Sequence, residues 1–82
     1  MKAKIYTKNG CRYCTEAKTL LQIRNVQYEE LNVQIVDGAK ERMLAECAEI
    51  GYKPETYPQI WVDGKHIGGC SDLKAYFDKV VC

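Results

Sequence analysis

No run of this chain approaches the roughly 20 apolar residues that a membrane-spanning helix needs. The opening segment, Met1-Lys2-Ala3-Lys4-Ile5-Tyr6, also lacks the apolar stretch of a secretory signal. Charge of one sign is lacking too. Twelve Lys and Arg against eleven Asp and Glu leave a net charge of +1, and the basic residues are dispersed rather than gathered in a block. Electrostatic steering toward nucleic acid or acidic lipid is therefore not expected. Histidine is confined to His66, which has no general-base partner in the sequence and reads as structural or exposed. A zinc site would need a second ligand pair, and Cys47, His66, Cys70 and Cys82 are not spaced to supply one, so no metal is expected. Repeats, low-complexity tracts and linkers are missing from all 82 residues. The expectation is one domain, 1–82, with one core, soluble and cytoplasmic.

Cysteine, by contrast, is plentiful. Five in so short a chain is many, and the odd number argues against a secreted disulfide scaffold. One redox pair with three further thiols fits better. The pair is Cys11-Arg12-Tyr13-Cys14. It follows a strand-like run, Ala3 to Thr7, and opens a helix-like run, Thr15 to Arg24. Two cysteines two residues apart can close a small disulfide ring, and the second lies near enough to resolve a mixed disulfide on the first. A cysteine at a helix N-terminus meets unpaired N–H groups and the positive end of the helix dipole, and both favour the nucleophilic thiolate. A C-x-x-C next to a β-α-β pattern reads as a thioredoxin-like redox motif. Cys47 falls on a helical apolar face with Met43 and Ile50 and is expected to pack there. Cys82, the last residue, reads as incidental.

The element order reads strand, helix, strand, helix, strand, strand, helix. The strands are placed at about 2–7, 27–32, 59–62 and 65–67, and the helices at about 12–24, 39–50 and 71–79. Ala17, Leu20 and Leu21 face inward on the first helix, and Asn25 can end it in a left-handed conformation. Gly51 stops the second helix. Asp63-Gly64 between two apolar runs is the strongest short hairpin signal. The third helix carries Leu73, Tyr76, Phe77 and Val80 on one face. Two strands joined by a helix, then a hairpin, imply an α/β fold with a mixed four-stranded sheet and helices on its faces.

Three separated segments carry the chemistry: Lys8 to Cys14; Thr56-Tyr57-Pro58, directly before a buried-looking strand; and Gly68-Gly69-Cys70-Ser71-Asp72, directly before the last helix. In this order and at this length the combination resembles the glutaredoxin family, dithiol class, over essentially the whole chain. The resemblance implies the thioredoxin-like fold, β-α-β-α-β-β-α. It also implies a glutathione-dependent oxidoreductase acting on protein disulfides and glutathione mixed disulfides, with Cys11 as nucleophile and Cys14 as resolving thiol. Pro58 would be the cis-proline, leaving the backbone of Tyr57 free for the cysteinyl part of glutathione. Thr56 belongs to the same loop. Gly69, Cys70, Ser71 and Asp72 would hold the γ-glutamyl group, whose α-carboxylate suits a helix N-terminus and whose ammonium suits Asp72. Gly68-Gly69 would let the backbone approach the ligand. Cys70 would matter through its N–H rather than its thiol. Tyr13 would wall the groove. Lys8 would meet the glycyl carboxylate and favour ionised Cys11, with Lys53 a weaker candidate for that carboxylate. Gln59 and Trp61 read as sheet residues without chemistry.

Two residues depart from the family pattern. Arg12 replaces the proline of Cys-Pro-Tyr-Cys and adds a permanent charge that favours thiolate at Cys11. Tyr57 replaces valine in Thr-Val-Pro and bears on partner preference. The partners implied are glutathione and glutathionylated or disulfide-bonded proteins, with ribonucleotide reductase a plausible family client; a monomer is expected. Two rival readings are a hydrogen donor fed by thioredoxin reductase, which would lack the Gly-Gly-Cys-x-Asp segment, and a [2Fe–2S] module held between two subunits by Cys11 and glutathione.

Overall fold

The computed structural model describes residues 1–80, the side chain of Val80 excepted; Cys82 lies outside the described residues. The elements are β1 (Lys2–Thr7), α1 (Arg12–Ile23), β2 (Gln27–Asn32), α2 (Ala39–Glu49), β3 (Gln59–Val62), β4 (Lys65–Gly68) and α3 (Cys70–Val80). The sheet order is β2-β1-β3-β4. β1 and β2 run parallel because α1 carries the chain back across the sheet. The other two pairings are antiparallel. The α/β architecture expected from the element order is the one found.

Local signals act where the sequence places them. Asn25 ends α1 at φ 57°, a left-handed value that asparagine tolerates. Asp63 and Gly64 form the hairpin turn with φ of 50° and 81°, the positive pair that a type I′ turn requires. One expectation fails. Ile50 is not on the buried face with Met43 and Cys47: it caps α2 at φ −105°, past the last helical turn, and is 55% exposed.

The strand alternation splits the core between the two faces of the sheet. Ala3, Ile5, Ile60 and Val62 pack against Ala17 and Leu21 of α1 and Leu73 and Phe77 of α3. Tyr6, Leu31 and Trp61 pack against Ala39, Met43 and Cys47 of α2. This topology also gathers the three segments singled out above. β1 ends at Thr7 and leads into α1. β3 begins at Gln59, opposite Tyr6, so the 56–58 loop lies at the same end. β4 ends at Gly68, opposite Ile60, and feeds α3 there.

Candidate active site

Cys11 is the N-cap of α1, in an extended conformation with φ −95° and ψ 107°. Its Sγ accepts the Cys14 N–H at 3.1 Å, as a serine or aspartate oxygen would at an ordinary N-cap. No acidic residue occupies the first turn of α1, so nothing there offsets the positive end of its dipole. The sulfurs of Cys11 and Cys14 are paired as a disulfide, with Cα atoms 5.2 Å apart. Cys14 is buried, whereas Cys11 is partly exposed. Only Cys11 is therefore open to an incoming sulfur.

The Tyr57–Pro58 peptide bond is cis. Pro58 is buried, and the Tyr57 carbonyl oxygen lies 3.7 Å from Cys11 Sγ. The loop thus brings its backbone directly beside the exposed sulfur. Lys8 Nζ stands 5.5 Å from the centre of the Tyr57 ring, which places a cation at the same mouth.

The third segment is built around Asp72. Its Oδ2 accepts the Gly69 N–H at 3.0 Å, one half of a capping box on α3. Gly68 is needed for that cap: at φ 120° a Cβ would run into the Asp72 carboxylate. The close approach that glycine permits at 68 is therefore to Asp72. At Gly69 a Cβ would meet the Pro58 carbonyl oxygen at 3.6 Å and the Asp72 carboxylate at 4.0 Å, both ordinary contacts. Cys70 is buried, with its Sγ 4.0 Å from Glu16 Oε2. Burial pushes its thiol pKa up, Lys74 opposes this and Glu16 adds to it, so the thiol stays protonated at neutral pH.

Two clefts flank the cysteine pair. One, of about 300 Å³, faces α3 and collects Tyr13, Thr56 and Tyr57 with Gly69, Cys70, Ser71 and Asp72. Tyr52, 40% exposed, closes it and was not singled out from the sequence. Lys53 does not line it. The other cleft, of about 390 Å³, faces β2 and includes Lys8, Cys11, Arg12 and Cys14. There Glu30 accepts hydrogen bonds from Thr7 Oγ1 at 2.7 Å and Lys18 Nζ at 3.1 Å. Burial works to raise the Glu30 carboxyl, but those bonds and the Lys18 charge hold it below the usual carboxylate range. Lys8 and Arg12 form no ion pair among the described residues, so the second cleft is net cationic.

Sequence reasoning also passed over what lies beneath the first cleft. Gln59 Nε2 donates to the Thr56 carbonyl at 2.8 Å, and Gln59 Oε1 pairs with His66 Nε2 at 2.8 Å. Nothing in an alternating strand marks a buried glutamine as tied to a loop.

Comparison with known proteins gives a consistent result. The Glutaredoxin family model matches residues 3–67. Glutaredoxin 3 of Escherichia coli K12 is 40% identical over 72 residues, covering 88% of this chain and 81% of its own. Glutaredoxin 1 of Rickettsia bellii is 44% identical over 71 residues, covering 84% and 69%. Among solved structures, Glutaredoxin 1 from Francisella tularensis, complexed with cacodylate, superposes with a TM-score of 0.78 at 36% identity, covering 98% of this chain and 95% of that one.

Proposed function

The chain belongs to the glutaredoxin family and is a thiol-disulfide oxidoreductase, and we propose how its own residues divide that work. Glutaredoxins use glutathione. The reading for this chain is that the cleft facing α3 takes a glutathionyl moiety with its sulfur toward Cys11. The observation that carries it is that Tyr57, whose carbonyl lies 3.7 Å from the partly exposed Cys11 Sγ, lines one cleft together with the capped N-terminus of α3.

On a glutathionylated protein, the Cys11 thiolate attacks the glutathione sulfur. A Cys11–glutathione disulfide forms, and the protein thiolate leaves. The thiolate of a second glutathione then attacks that glutathione sulfur, releasing glutathione disulfide and restoring the Cys11 thiolate. On a protein disulfide, Cys11 attacks one sulfur and the other leaves as thiolate. The Cys14 thiolate then attacks Cys11 Sγ, the client's second thiolate departs, and the Cys11–Cys14 disulfide remains for two glutathiones to reduce. The helix N-terminus stabilises the attacking Cys11 thiolate, and later its departure, through the Cys14 N–H.

The γ-glutamyl carboxylate would lie against the N–H groups of Cys70 and Ser71 at the start of α3. Its ammonium would lie by Asp72, and the cysteinyl backbone against that of Tyr57. Thr56 and Tyr13 would wall the cleft. Lys8, at the rim over Tyr57, would meet the glycyl carboxylate, and Arg12 would add charge beside Cys11. The reading also has the protein acting as a monomer on clients in a reducing cytosol.

Cys11→Ser is expected to abolish all thiol transfer. Cys14→Ser is expected to keep activity on a glutathionylated peptide and lose most activity on a protein dithiol–disulfide substrate. A Cys11→Ser protein that still removes glutathione would overturn the mechanism.

A further inference from the structure

Gln59 is fully buried, at the first position of β3 and next to Pro58. A primary amide in that setting is costly unless both its ends are paired. Both are. The Thr56 carbonyl only accepts, so the Gln59 group facing it is the NH2. The group facing His66 is then the amide oxygen, which also only accepts. His66 must therefore donate through Nε2–H, which fixes the tautomer of its neutral ring. The same ring lies against Tyr52, tilted by 48° with centroids 4.5 Å apart, and meets Trp61 edge-on at 4.7 Å. Tyr52 and Thr56 both line the cleft beside Cys11.

We propose that His66 is a positioning residue for the glutathione cleft, holding Tyr52 directly and the Thr56 carbonyl through the side chain of Gln59. Its single ring spans two walls of the cleft without entering it. The Gln59 bond locks the peptide that leads into Tyr57, whose carbonyl lies beside Cys11 Sγ. The Tyr52 contact fixes the facing aromatic wall. Trp61 holds the ring from the sheet side, so the hydrogen bond is presented in one orientation. This proposal rests on the reading that the cleft takes the glutathionyl moiety.

Two variants separate the ring from its proton. His66→Phe keeps an aromatic ring against Tyr52 and loses the donor. His66→Gln keeps an amide N–H near the position of Nε2 and loses the ring. Loss of one hydrogen bond predicts a rise of about three- to tenfold in KM for a glutathionylated peptide in His66→Phe, with kcat little changed. His66→Gln should return KM most of the way. Alkylation of reduced Cys11 by iodoacetamide should be the same in both, since neither touches the N-terminus of α1. Assays run well below each variant's melting temperature exclude loss of folded protein. Asp72→Asn, which keeps a cap acceptor and loses the charge facing the ammonium, serves as control. If Asp72→Asn raises KM and His66→Phe does not, the relay is wrong and the cleft stands. If neither moves KM, the cleft reading and the relay fall together. If His66→Phe raises KM and His66→Gln fails to restore it, Gln59 does not carry the effect and the proposal is overturned.

Discussion

On the face of the sheet that carries α1 and α3, Ile5, Leu21, Leu73 and Phe77 form an apolar cluster, and the buried Thr7 hydroxyl bonds Glu30 at the active-site end of β1. On the face that carries α2 the core includes Tyr6 and Trp61, and polar groups reach into it. Tyr6 Oη donates to Glu46 Oε1 at 2.5 Å, Lys4 pairs with the same carboxylate, and Lys4 Nζ sits 5.3 Å from the centre of the Trp61 ring. The two faces bear differently on function. The first sets the N-termini of α1 and α3 against each other, and those two termini are the nucleophile's helix and the wall of the cleft proposed for glutathione. A dry, interlocked layer suits that demand, because close-packed interiors transmit strain rather than absorb it. The second face anchors α2, none of whose residues lines either cleft; its Glu46 and Glu49 border a separate groove at the opposite end of β1, with Lys2, Ile50 and Asp63.

Truncating each face in turn should give the largest effects and break the comparison if it is wrong. Leu21→Ala and Met43→Ala each remove a fully buried side chain. Each should lower stability by about 2–5 kcal/mol, read by urea denaturation. Their effects on the folded fraction should differ. Leu21→Ala should raise KM for a glutathionylated peptide, because α1 can shift against α3. Met43→Ala should leave KM and kcat near wild type at temperatures where the protein is folded. Equal kinetic losses would mean that the faces are not specialised.

A smaller effect comes from the polar network on the α2 face. Burial works to raise the Glu46 carboxyl, but hydrogen bonds from Lys4 and Tyr6 and the charges of Lys4 and Arg42 outweigh it, leaving it below its ordinary 4.5. A carboxyl depressed in the folded state contributes stability that is fully present above the unfolded value. That contribution is lost as pH falls through the lower folded value. Glu46→Gln should therefore melt below wild type at pH 7, and the gap should narrow as pH drops below 4.5. The Tyr6 phenol is pushed up, chiefly by burial and then by its bond to Glu46, and so stays a donor throughout that range. A gap that widens in acid would show that the carboxylate opposes the fold.

What the sequence disclosed, and what it hid, follows the same division. Strand period, the Asp63-Gly64 turn, Asn25 and Gly51 are local signals, and local chemistry decides them. The convergence of residues 8–14, 56–58 and 68–72 was legible through their motifs, although Tyr57, which the topology brings back beside Cys11, lies 46 positions further along the chain. Ile50 was misplaced because helical periodicity does not say where the last turn ends, and its apolar side chain is exposed just past that point. Tyr52, Gln59 and His66 were passed over for a different reason. Their roles are side-chain contacts between β3, β4 and the preceding loop, and no spacing rule encodes a hydrogen bond made across a strand pair.

The smallest effects should come from the two buried thiols, one on each face, and they sharpen the comparison most finely. Cys47 lies among Met43 and Trp61, and burial, with the Glu46 charge adding, pushes its thiol up. Cys70 lies among Leu73 and Phe77, yet it also lines the cleft, and its thiol is likewise raised, chiefly by burial. A protonated, covered thiol is a poor nucleophile, so neither should react with a disulfide at neutral pH. Cys47→Ala and Cys70→Ala should each cost about 1 kcal/mol for the lost sulfur. Both should leave deglutathionylation rates close to wild type, because in the proposed site the ligand meets the backbone N–H at position 70, which alanine keeps. Mass spectrometry of the Cys14→Ser protein treated with glutathione disulfide should then find glutathione on Cys11 and on neither Cys47 nor Cys70. Glutathione on Cys70, or a slowed Cys70→Ala enzyme, would show that the apolar face supplies a reacting sulfur as well as support.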